Sequence, residues 1–418
     1  MTSIKKNIVI FYLIVGLGFV FNVFAFLLPQ GPIHRNIVSS INSFKKEGTF
    51  PQLVDNYRGT ILDNNSDAWA LLMCDYDGEE NILKKSMGGY FNTYSTENTG
   101  AIGTDNLQMI DSESPTGTGM YARYWHGWLF FVRFALIFFD YSGIRIINMF
   151  LQFIITFSCF VLMDRRKLSK YSWAFAIALL VIVPIASALS FEYSFIYYVS
   201  ILGILCMLKF HEKIKDNIGY STFFMILGMA TGYFDFLTYP IAALGLPLTM
   251  YLLLENDNKG KAKKVIIYSI VWGIGYIGMW TAKWAIGSLI LQENVFKSAI
   301  SQAAVRTSHT MGHGSLSGDK IDYFSTVKGN LEVIFRLPYL LLFTTGIAIY
   351  IYKARKSICN VDIKGLAIKF LPYLLISIMP FVWWFLLMNH SYMHSHFTYR
   401  IVSVTVFAGL CGIGKLGD

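Results

Sequence analysis

Acidic side chains crowd one short stretch of the chain, and carboxylates can act as general bases. The stretch contains Asp55, Asp63, Asp67, Asp75, Asp77, Glu79 and Glu80. A carboxylate that faces a substrate can take the proton of a hydroxyl group as that group attacks another molecule. Asp67 and Asp63 are our candidates for this catalytic base, because they lie where a helix is predicted to begin. Capping of that helix and plain solvation are the alternative roles for each of them.

The predicted helix carries both candidates near its amino-terminal end. Ser66 or Asp67 fits an N-cap, and the helix then begins at Ala68. Its apolar face consists of Trp69, Leu72 and Met73. This pattern predicts a short amphipathic helix that lies on a membrane surface. The string from Asp63 to Asp67 is similar to the start of a calcium loop but lacks its later glycine and glutamate, so no metal ligands are assigned. A divalent cation that bridges to a phosphate stays open as a cofactor.

Aromatic and basic side chains stand together at the end of this polar region. The run over 121–128 reads Tyr-Ala-Arg-Tyr-Trp-His-Gly-Trp. Such a run is typical of a membrane interface, where aromatic rings collect. It is equally suited to an anionic lipid headgroup. Arg123 can pair with a phosphate, Tyr124 can contact the substrate, and His126 can transfer a proton or hydrogen-bond a sugar.

Two single carboxylates lie at the ends of apolar runs. Glu192 opens one run, and Asp235 stands between two others in the string Tyr233–Pro240. A carboxylate at membrane depth is costly and is therefore a candidate for substrate binding. For Asp235 the alternative is a hydrogen bond to backbone groups that are freed near Pro240.

A third polar cluster lies at 389–400 and contains His390, His394 and Arg400. The two histidines are four residues apart, as in a helical zinc pair, but no Glu or Cys accompanies them. A hydrogen-bonding rim over a substrate cavity fits this mixture better. Arg400 directly precedes an apolar run, so we expect its guanidinium at the level of the lipid phosphates.

The composition shows which kind of protein must position these residues. Of the 418 residues, 54% are hydrophobic and only 15% are charged. Soluble chains carry about 25% charged residues, and the mean hydropathy of +0.48 is too high for a water-exposed surface. These values exclude a soluble enzyme, a disordered regulator and a nucleic-acid-binding domain. They predict an all-helical, polytopic membrane bundle.

Ten apolar runs are long enough to be membrane-spanning helices. The predicted spans are 8–28, 144–163, 171–189, 192–210, 219–236, 237–254, 265–289, 333–352, 366–388 and 401–415. The first has no small-residue cleavage site after it, so we expect it to be retained. The chain is then a single membrane domain over 1–418.

The basic residues decide the orientation of this bundle. The apolar run Trp125–Phe139 is short and is interrupted by Arg133. If this run does not cross the membrane, the basic loops all fall on one side of it. The positive-inside rule favours this arrangement, with both termini in the cytoplasm and the protein in the cell membrane. The net charge of +9 then reflects topology rather than a nucleic-acid partner. Two long loops, 29–143 and 290–332, face outward, and Trp125–Phe139 becomes a surface or re-entrant helix.

All the candidate residues therefore fall at the outer face, although they come from distant parts of the chain. No glycine-rich nucleotide loop occurs on the cytoplasmic side. The layout resembles the type-C glycosyltransferase superfamily (GT-C fold). Leu62–Met73 matches the position of that family's acidic segment, Tyr121–Gly127 its surface-helix entry, and 290–332 its second outer loop.

The resemblance implies a membrane glycosyltransferase that works outside the cytoplasm. Its donor would be a sugar on a polyprenyl phosphate, and its acceptor a cell-surface glycan or a lipid-linked glycan unit. Membrane lipids would be its other partners. Asp67 or Asp63 would be the base, and Arg400 and Arg123 would contact the phosphate. A flippase or transporter of lipid-linked oligosaccharides is the alternative, and a membrane acyltransferase with a histidine base is a third.

Overall fold

The computed structural model describes residues 3–94, 102–255, 260–311, 318–334, 337–358 and 363–415. The described chain is mostly helical, with one short pair of strands. The predicted helical class is therefore confirmed, although the pair of strands was not predicted. The second predicted outer loop is described except for 312–317.

The amino-terminal third of the chain is one long helix followed by short elements. The helices are α1 (Ser3–Ala25), α2 (Gln30–Glu47), α3 (Asn64–Asp75), α4 (Ile82–Gly88), α5 (Ile102–Met109) and α6 (Leu129–Leu136). Strands β1 (Tyr90–Thr93) and β2 (Gly117–Met120) pair antiparallel, with Tyr90 opposite Met120. A 3₁₀ turn covers Arg58–Thr60.

The rest of the chain is a helical bundle. The middle helices are α7 (Tyr141–Arg165), α8 (Ser169–Ile182), α9 (Pro184–Leu189), α10 (Phe191–Lys213), α11 (Tyr220–Phe234), α12 (Ile241–Leu254) and α13 (Lys261–Leu291). The last helices are α14 (Val295–Thr307), α15 (Tyr323–Glu332), α16 (Leu337–Ile358), α17 (Ile363–Ser377), α18 (Met379–Leu386), α19 (Met388–Met393), α20 (Ser395–Thr398) and α21 (Val402–Lys415). A π-helical turn follows α10, and a 3₁₀ turn precedes α21.

Six helical segments of the described chain are long and apolar enough to cross a membrane. They are Lys5–Ala25, Tyr141–Arg165, Phe191–Ile218, Lys261–Leu291, Lys369–Leu386 and Ser395–Lys415. Their outward faces carry exposed apolar side chains, such as Phe153 and Ile277. A lipid environment makes such exposure favourable, whereas water does not. α12 is buried along almost its whole length and packs against α10 and α21, so the core lies there.

The predicted spans coincide with helices, but two of them are interrupted. The span 171–189 divides into α8 and α9 at Val183, whose φ of 55° is left-handed. Pro184 follows and cannot donate a backbone hydrogen bond, so the helix cannot run straight through. The span 366–388 divides into α17 and α18, again beside a proline, Pro380. These breaks leave backbone groups inside the bundle that need side-chain partners.

The structure corrects the prediction for the helix in the acidic stretch. α3 begins at Asn64, four residues earlier than expected, and its N-cap is Asp63 rather than Ser66 or Asp67. The apolar face of the helix packs against other protein elements, α2, α5 and α6. Its buried apolar side chains are Ala68, Ala70, Leu71, Leu72, Met73 and Cys74.

Hydrogen bonds from Arg133 attach the short helix α6 to neighbouring helices. The eight residues of α6 span about 12 Å, which is too short to cross a membrane. The Arg133 guanidinium is buried, and it donates to the carbonyl oxygens of Ala25 and Cys74 and to the amide oxygen of Gln30. The same guanidinium therefore joins the ends of α1 and α3 and the start of α2 to α6.

α11 and α13 approach each other through glycines. A Cβ at Gly228 would clash with the carbonyl oxygen of Trp272, and one at Gly275 would clash with that of Met225. Small residues permit this close approach in membrane helices. The contact brings the end of α11 beside Tyr276 of α13.

We expect Gly228→Ala to destabilise the bundle. The added methyl group overlaps a backbone oxygen that cannot move without separating the helices, and overpacking of this kind costs about 1–3 kcal/mol. Thermal unfolding in detergent measures the loss. Gly273→Ala on α13 is the matched control, because a Cβ there meets nothing within 4 Å. Equal unfolding temperatures for the two variants would contradict the glycine contact.

Candidate functional site

A cavity of about 370 Å³ lies where the ends of several helices meet. It is lined by Ser66, Trp69, Ala70, Met73, Phe91, Tyr121, Tyr124, His126, Trp128, Glu192, Asp235, Phe236, Arg306, His390, His394 and Phe397. Six predicted substrate-binding residues are therefore brought together: Tyr124, His126, Glu192, Asp235, His390 and His394. The predicted residues Asp63, Asp67, Arg123 and Arg400 lie outside this lining.

Asp235 presents a buried carboxylate to the cavity. It follows the last residue of α11, its Oδ1 accepts from the backbone N–H of Thr238 at 3.0 Å, and its Oδ2 accepts from the Tyr276 hydroxyl at 2.9 Å. The bond to Thr238 is the backbone contact that the sequence suggested as an alternative role. Burial raises the pKa of Asp235 to about 6, with both hydrogen bonds opposing the shift. A base with this pKa is ionised at neutral pH and well matched to proton transfer.

Asp67 holds the start of α10 rather than facing the cavity. Its carboxylate accepts from the backbone N–H groups of Phe191 and Glu192 at 2.9 and 3.1 Å and from the Tyr141 hydroxyl at 2.6 Å. The Ser190 hydroxyl donates to it as well, at 3.2 Å. Burial raises the pKa of Asp67 to about 6 despite these bonds. Since its oxygens already accept from four donors, Asp67 positions Glu192 and has no free lone pair aimed at a substrate.

Asp63 joins three elements just outside the cavity. Its Oδ1 caps α3 by accepting from the backbone N–H of Ser66 at 2.8 Å. The carboxyl group of Glu192 is close enough to act on its pKa, and Oδ2 of Asp63 lies 3.7 Å from Nε2 of His396. Burial acts to raise the pKa of Asp63, but the contacts with His396, Ser66 and Glu192 outweigh burial and lower it.

Arg306 is a cavity residue that the sequence reasoning did not select. It belongs to α14, and its Nη1 donates to Nδ1 of His390 at 2.7 Å. Nε2 of the same imidazole donates to the carbonyl oxygen of Leu237 at 2.7 Å, so the ring holds its proton on Nε2. Burial, with a smaller effect of the Arg306 charge, lowers the pKa of His390 well below its ordinary value. A neutral His390 therefore orients the guanidinium. The one sequence signal was the position of Arg306 in a predicted outer loop.

The aromatic–basic run over 121–128 packs against the bundle instead of forming an exposed belt. The Trp125 indole donates to the carbonyl oxygen of Met279, and the backbone N–H of Gly127 donates to that of Tyr233. His126 has a φ of 54° and donates from Nε2 to the carbonyl oxygen of Tyr121 at 2.8 Å. Burial lowers the pKa of His126 to about 3, so the ring is neutral.

His394 completes the polar rim of the cavity. Its ring stacks on Phe397 with 5.1 Å between centroids and lies 4.7 Å from the ring of His390. Burial, with smaller effects of His396 and Arg306, lowers the pKa of His394 to about 3. Within the described residues, no group of three or more His, Cys, Asp or Glu side chains is arranged to hold a metal ion.

Arg400 and Arg123 serve other contacts. Arg400 is buried, which differs from the expected interface position, and it donates to the carbonyl oxygens of Ile182, His396 and Gly59. Ile182 is the last residue of α8, so Arg400 satisfies a carbonyl that the helix break exposes. Arg123 lies over the Tyr121 ring and donates to the Ser298 hydroxyl at 3.2 Å.

Aromatic rings form most of the remaining cavity wall. They belong to Trp69, Phe91, Tyr121, Tyr124, Trp128, Phe236 and Phe397. Trp128 and Phe236 stack with 5.1 Å between centroids. Flat apolar walls with a few polar groups are typical of sites for small organic ligands.

An apolar groove of about 560 Å³ lies beside the cavity, between α6, α7, α10 and α11. Phe191 and Phe234 line the groove, and the residues that follow them, Glu192 and Asp235, line the cavity. Phe131 and Leu151 on the groove wall are exposed, so the flank of the bundle is open there. The polar cavity and the apolar groove therefore adjoin at the same helix ends.

No family model, curated protein or solved structure matches this chain.

We expect Asp67→Ala to destabilise the protein strongly, because it removes four hydrogen bonds to one buried carboxylate. The loss of an N-cap lowers the free energy of unfolding by about 1 kcal/mol, and the loss of a hydrogen bond to a charged group lowers it by about 1.5–3 kcal/mol. We therefore expect Asp67→Ala to lower the free energy of unfolding by at least about 2 kcal/mol. Thermal unfolding in detergent is the measurement. Asp140→Ala is the matched control, since Asp140 caps α7 through one bond to Gly143. If Asp67→Ala lowered the unfolding temperature no more than Asp140→Ala does, Asp67 would not be what holds the start of α10.

Proposed function

We propose that this protein is an integral membrane glycosyltransferase of the GT-C type. It moves a sugar from a polyprenyl-phosphate donor to a cell-surface glycan or lipid-linked acceptor on the extracytoplasmic side. The observation that carries the proposal is the cavity, which combines an ionised carboxylate, a fixed guanidinium and aromatic walls beside an apolar groove. These four features match the acceptor hydroxyl, the phosphate, the sugar and the lipid chain of the reactants.

The proposal includes a topology of ten crossing helices with both termini in the cytoplasm. It is supported by the helices at all ten predicted spans and by the basic loops on one side. In this arrangement the cavity opens to the outer face of the cell membrane, where a lipid-linked sugar is available.

Asp235 is the proposed base. The acceptor hydroxyl attacks the anomeric carbon of the donor sugar, and the bond between that carbon and the phosphate oxygen breaks. The hydroxyl proton passes to Asp235, and the bonding electrons leave with the polyprenyl phosphate. Tyr276 and Thr238 hold the carboxylate in position, so little reorganisation is needed as the reaction proceeds.

Arg306 is the proposed phosphate contact and takes the role expected of Arg400 and Arg123. A guanidinium can bind a phosphate through two parallel hydrogen bonds, which offset the charge that develops on the leaving group. His390 orients this guanidinium without adding a competing charge, because its ring is neutral. A divalent cation that arrives with the phosphate could contact Glu192 and Asp235, the two carboxyl groups of the cavity wall.

We expect Asp235→Asn to lower the transfer rate by about 100- to 10,000-fold, the usual effect of losing a general base. A panel of polyprenyl-phosphate sugars, assayed with purified enzyme in lipid vesicles, provides the measurement. In the wild type kcat/KM should fall as the pH drops through about 6, because protonated Asp235 cannot accept a proton.

The exposed Asp111 supplies the control, and Asp111→Asn should transfer sugar at the wild-type rate. If folded Asp235→Asn retained full activity, the base would have to be a different group.

We expect Arg306→Lys to raise the KM for the lipid-linked donor by about tenfold or more. Lysine keeps the charge but loses the paired geometry, and a hydrogen bond to a charged group contributes about 1.5–3 kcal/mol. Arg123→Lys is the matched control, because Arg123 lies outside the cavity lining, and its donor kinetics should stay normal. If Arg123→Lys raised the KM for the donor and Arg306→Lys did not, Arg123 would be the phosphate contact.

A flippase or transporter of lipid-linked oligosaccharides is the second candidate function. Two observations favour it: the helix break between α8 and α9, and the buried polar side chains Asn148 and Gln152 within α7. Vesicles that hold a fluorescent lipid-linked oligosaccharide separate the two functions. Movement of the lipid between leaflets without sugar transfer, and unaffected by Asp235→Asn, would favour the transporter.

A further inference from the structure

A row of hydrogen bonds connects α2, α7 and α3 to the start of α10. It begins at Glu47, the last residue of α2, whose two carboxylate oxygens each accept from Nη1 of Arg145 at 2.8 Å. Nη2 of Arg145 donates to the Tyr141 hydroxyl at 2.6 Å, and that hydroxyl donates to Oδ2 of Asp67 at 2.6 Å. Asp67 in turn accepts from the first backbone N–H groups of α10, including that of Glu192. Every link of the row is therefore a direct hydrogen bond.

Arg145 sets the direction of the bonds in this row. A guanidinium can only donate hydrogen bonds, so the Tyr141 hydroxyl accepts from it and keeps its own proton to donate. Two oxygens lie within reach of that proton, Oδ2 of Asp67 at 2.6 Å and Oδ1 of Asn64 at 3.3 Å. Oδ1 of Asn64 already accepts from Nη2 of Arg145 at 2.8 Å. The Tyr141 hydroxyl therefore donates to Asp67, and a hydroxyl that accepts from a cation is a stronger donor.

The ring of Tyr141 holds the same helix start through a second set of contacts. The Arg145 guanidinium lies over the ring, 3.9 Å from its centroid, and Phe44 stacks on it at 4.6 Å between centroids. The ring of Phe191 meets it edge-on at 5.1 Å. Both kinds of contact are attractive. Phe191 lines the apolar groove, and the next residue, Glu192, lines the cavity. Tyr141 therefore fixes the boundary between the groove and the cavity.

We propose that Arg145 and Tyr141 are positioning residues that hold the first turn of α10, and with it Glu192, in place for the reactants. This inference rests on the proposed transferase function. Neither side chain lines the cavity or the groove, so both act on a ligand through α10. Arg145 is 6% exposed and its charge is offset by Glu47, which is 31% exposed. The row thus begins near the protein surface and ends at the cavity wall.

Hydrogen–deuterium exchange tests the positioning without any substrate. The backbone N–H groups at the start of α10 exchange slowly while they are bonded to Asp67. Tyr141→Phe removes the hydroxyl but keeps the ring, so exchange at residues 191–192 should become at least about tenfold faster. Arg145→Lys keeps the positive charge but loses the planar fork that reaches Tyr141, and it should speed exchange at the same residues.

Tyr220→Phe is the matched control. Tyr220 is buried, and its hydroxyl bonds to Nδ1 of His211 at 2.6 Å. The substitution is the same and also removes one buried hydrogen bond to α10. His211 lies about 30 Å along α10 from Glu192, so exchange at residues 191–192 should stay at the wild-type rate.

Turnover tests whether the row acts through Glu192. With all variants folded, Tyr141→Phe should lower kcat/KM by about tenfold or more, because small displacements of a group in the site are costly. Glu192→Gln should lower kcat/KM as well. In the double variant the two losses should not multiply, since both remove the same contribution, whereas the effects of independent sites multiply. Tyr220→Phe should transfer sugar at the wild-type rate.

Four results would overturn the positioning role even if sugar transfer is confirmed. They are unchanged exchange at residues 191–192 in Tyr141→Phe, full activity in Tyr141→Phe, full activity in Glu192→Gln, and losses that multiply in the double variant. Faster exchange in Tyr141→Phe but not in Tyr220→Phe, with no sugar transfer by the wild type, would support the hold on α10 and count against the transferase alone.

Discussion

The chain break between α8 and α10 is the constraint on which the candidate site depends. A helix that stops inside an apolar bundle leaves backbone N–H and carbonyl groups without water, and each must find a partner. Asp67 supplies the acceptor for the N–H groups that start α10, and Arg400 supplies the donor for the carbonyl at the end of α8. Opposite charges at the two ends of one break explain why both residues are buried. The break, held in this way, directs Glu192 into the cavity.

A second contact fixes the opposite wall of the cavity. The glycines of α11 and α13 allow their backbones to touch, and this contact sets Tyr276 where its hydroxyl reaches Asp235. The loop after α11 then carries Leu237, whose carbonyl orients His390 and through it Arg306. The Asp235 carboxylate and the Arg306 guanidinium are thus both positioned through the loop after α11. They lie about seventy residues apart in the sequence. Neither side chain reaches the cavity on a flexible loop of its own.

The sequence predicted the helical segments, because apolar length is a strong signal in a membrane protein, and it selected six of the sixteen residues that line the cavity. Asp235, Glu192 and His390 could be selected because ionisable groups are rare at membrane depth. The roles of Asp67 and Arg400 could not be predicted in this way. A buried cap and a catalytic carboxylate have the same residue type, and only the position of the broken helix separates them. Arg306 was missed because an arginine in a polar loop is unremarkable until His390 lies 2.7 Å away.

The open flank beside the cavity bears on how the concentration of the proposed lipid-linked donor would be measured. A ligand whose tail lies in the groove never needs to leave the bilayer, so it arrives by lateral diffusion in two dimensions. Saturation then depends on the mole fraction of that lipid in the surrounding membrane rather than on its amount per volume of solution. Adding inert lipid or detergent dilutes such a ligand although its bulk concentration is constant. For the proposed transferase, the groove would therefore make the lipid composition of the membrane a variable in the rate law.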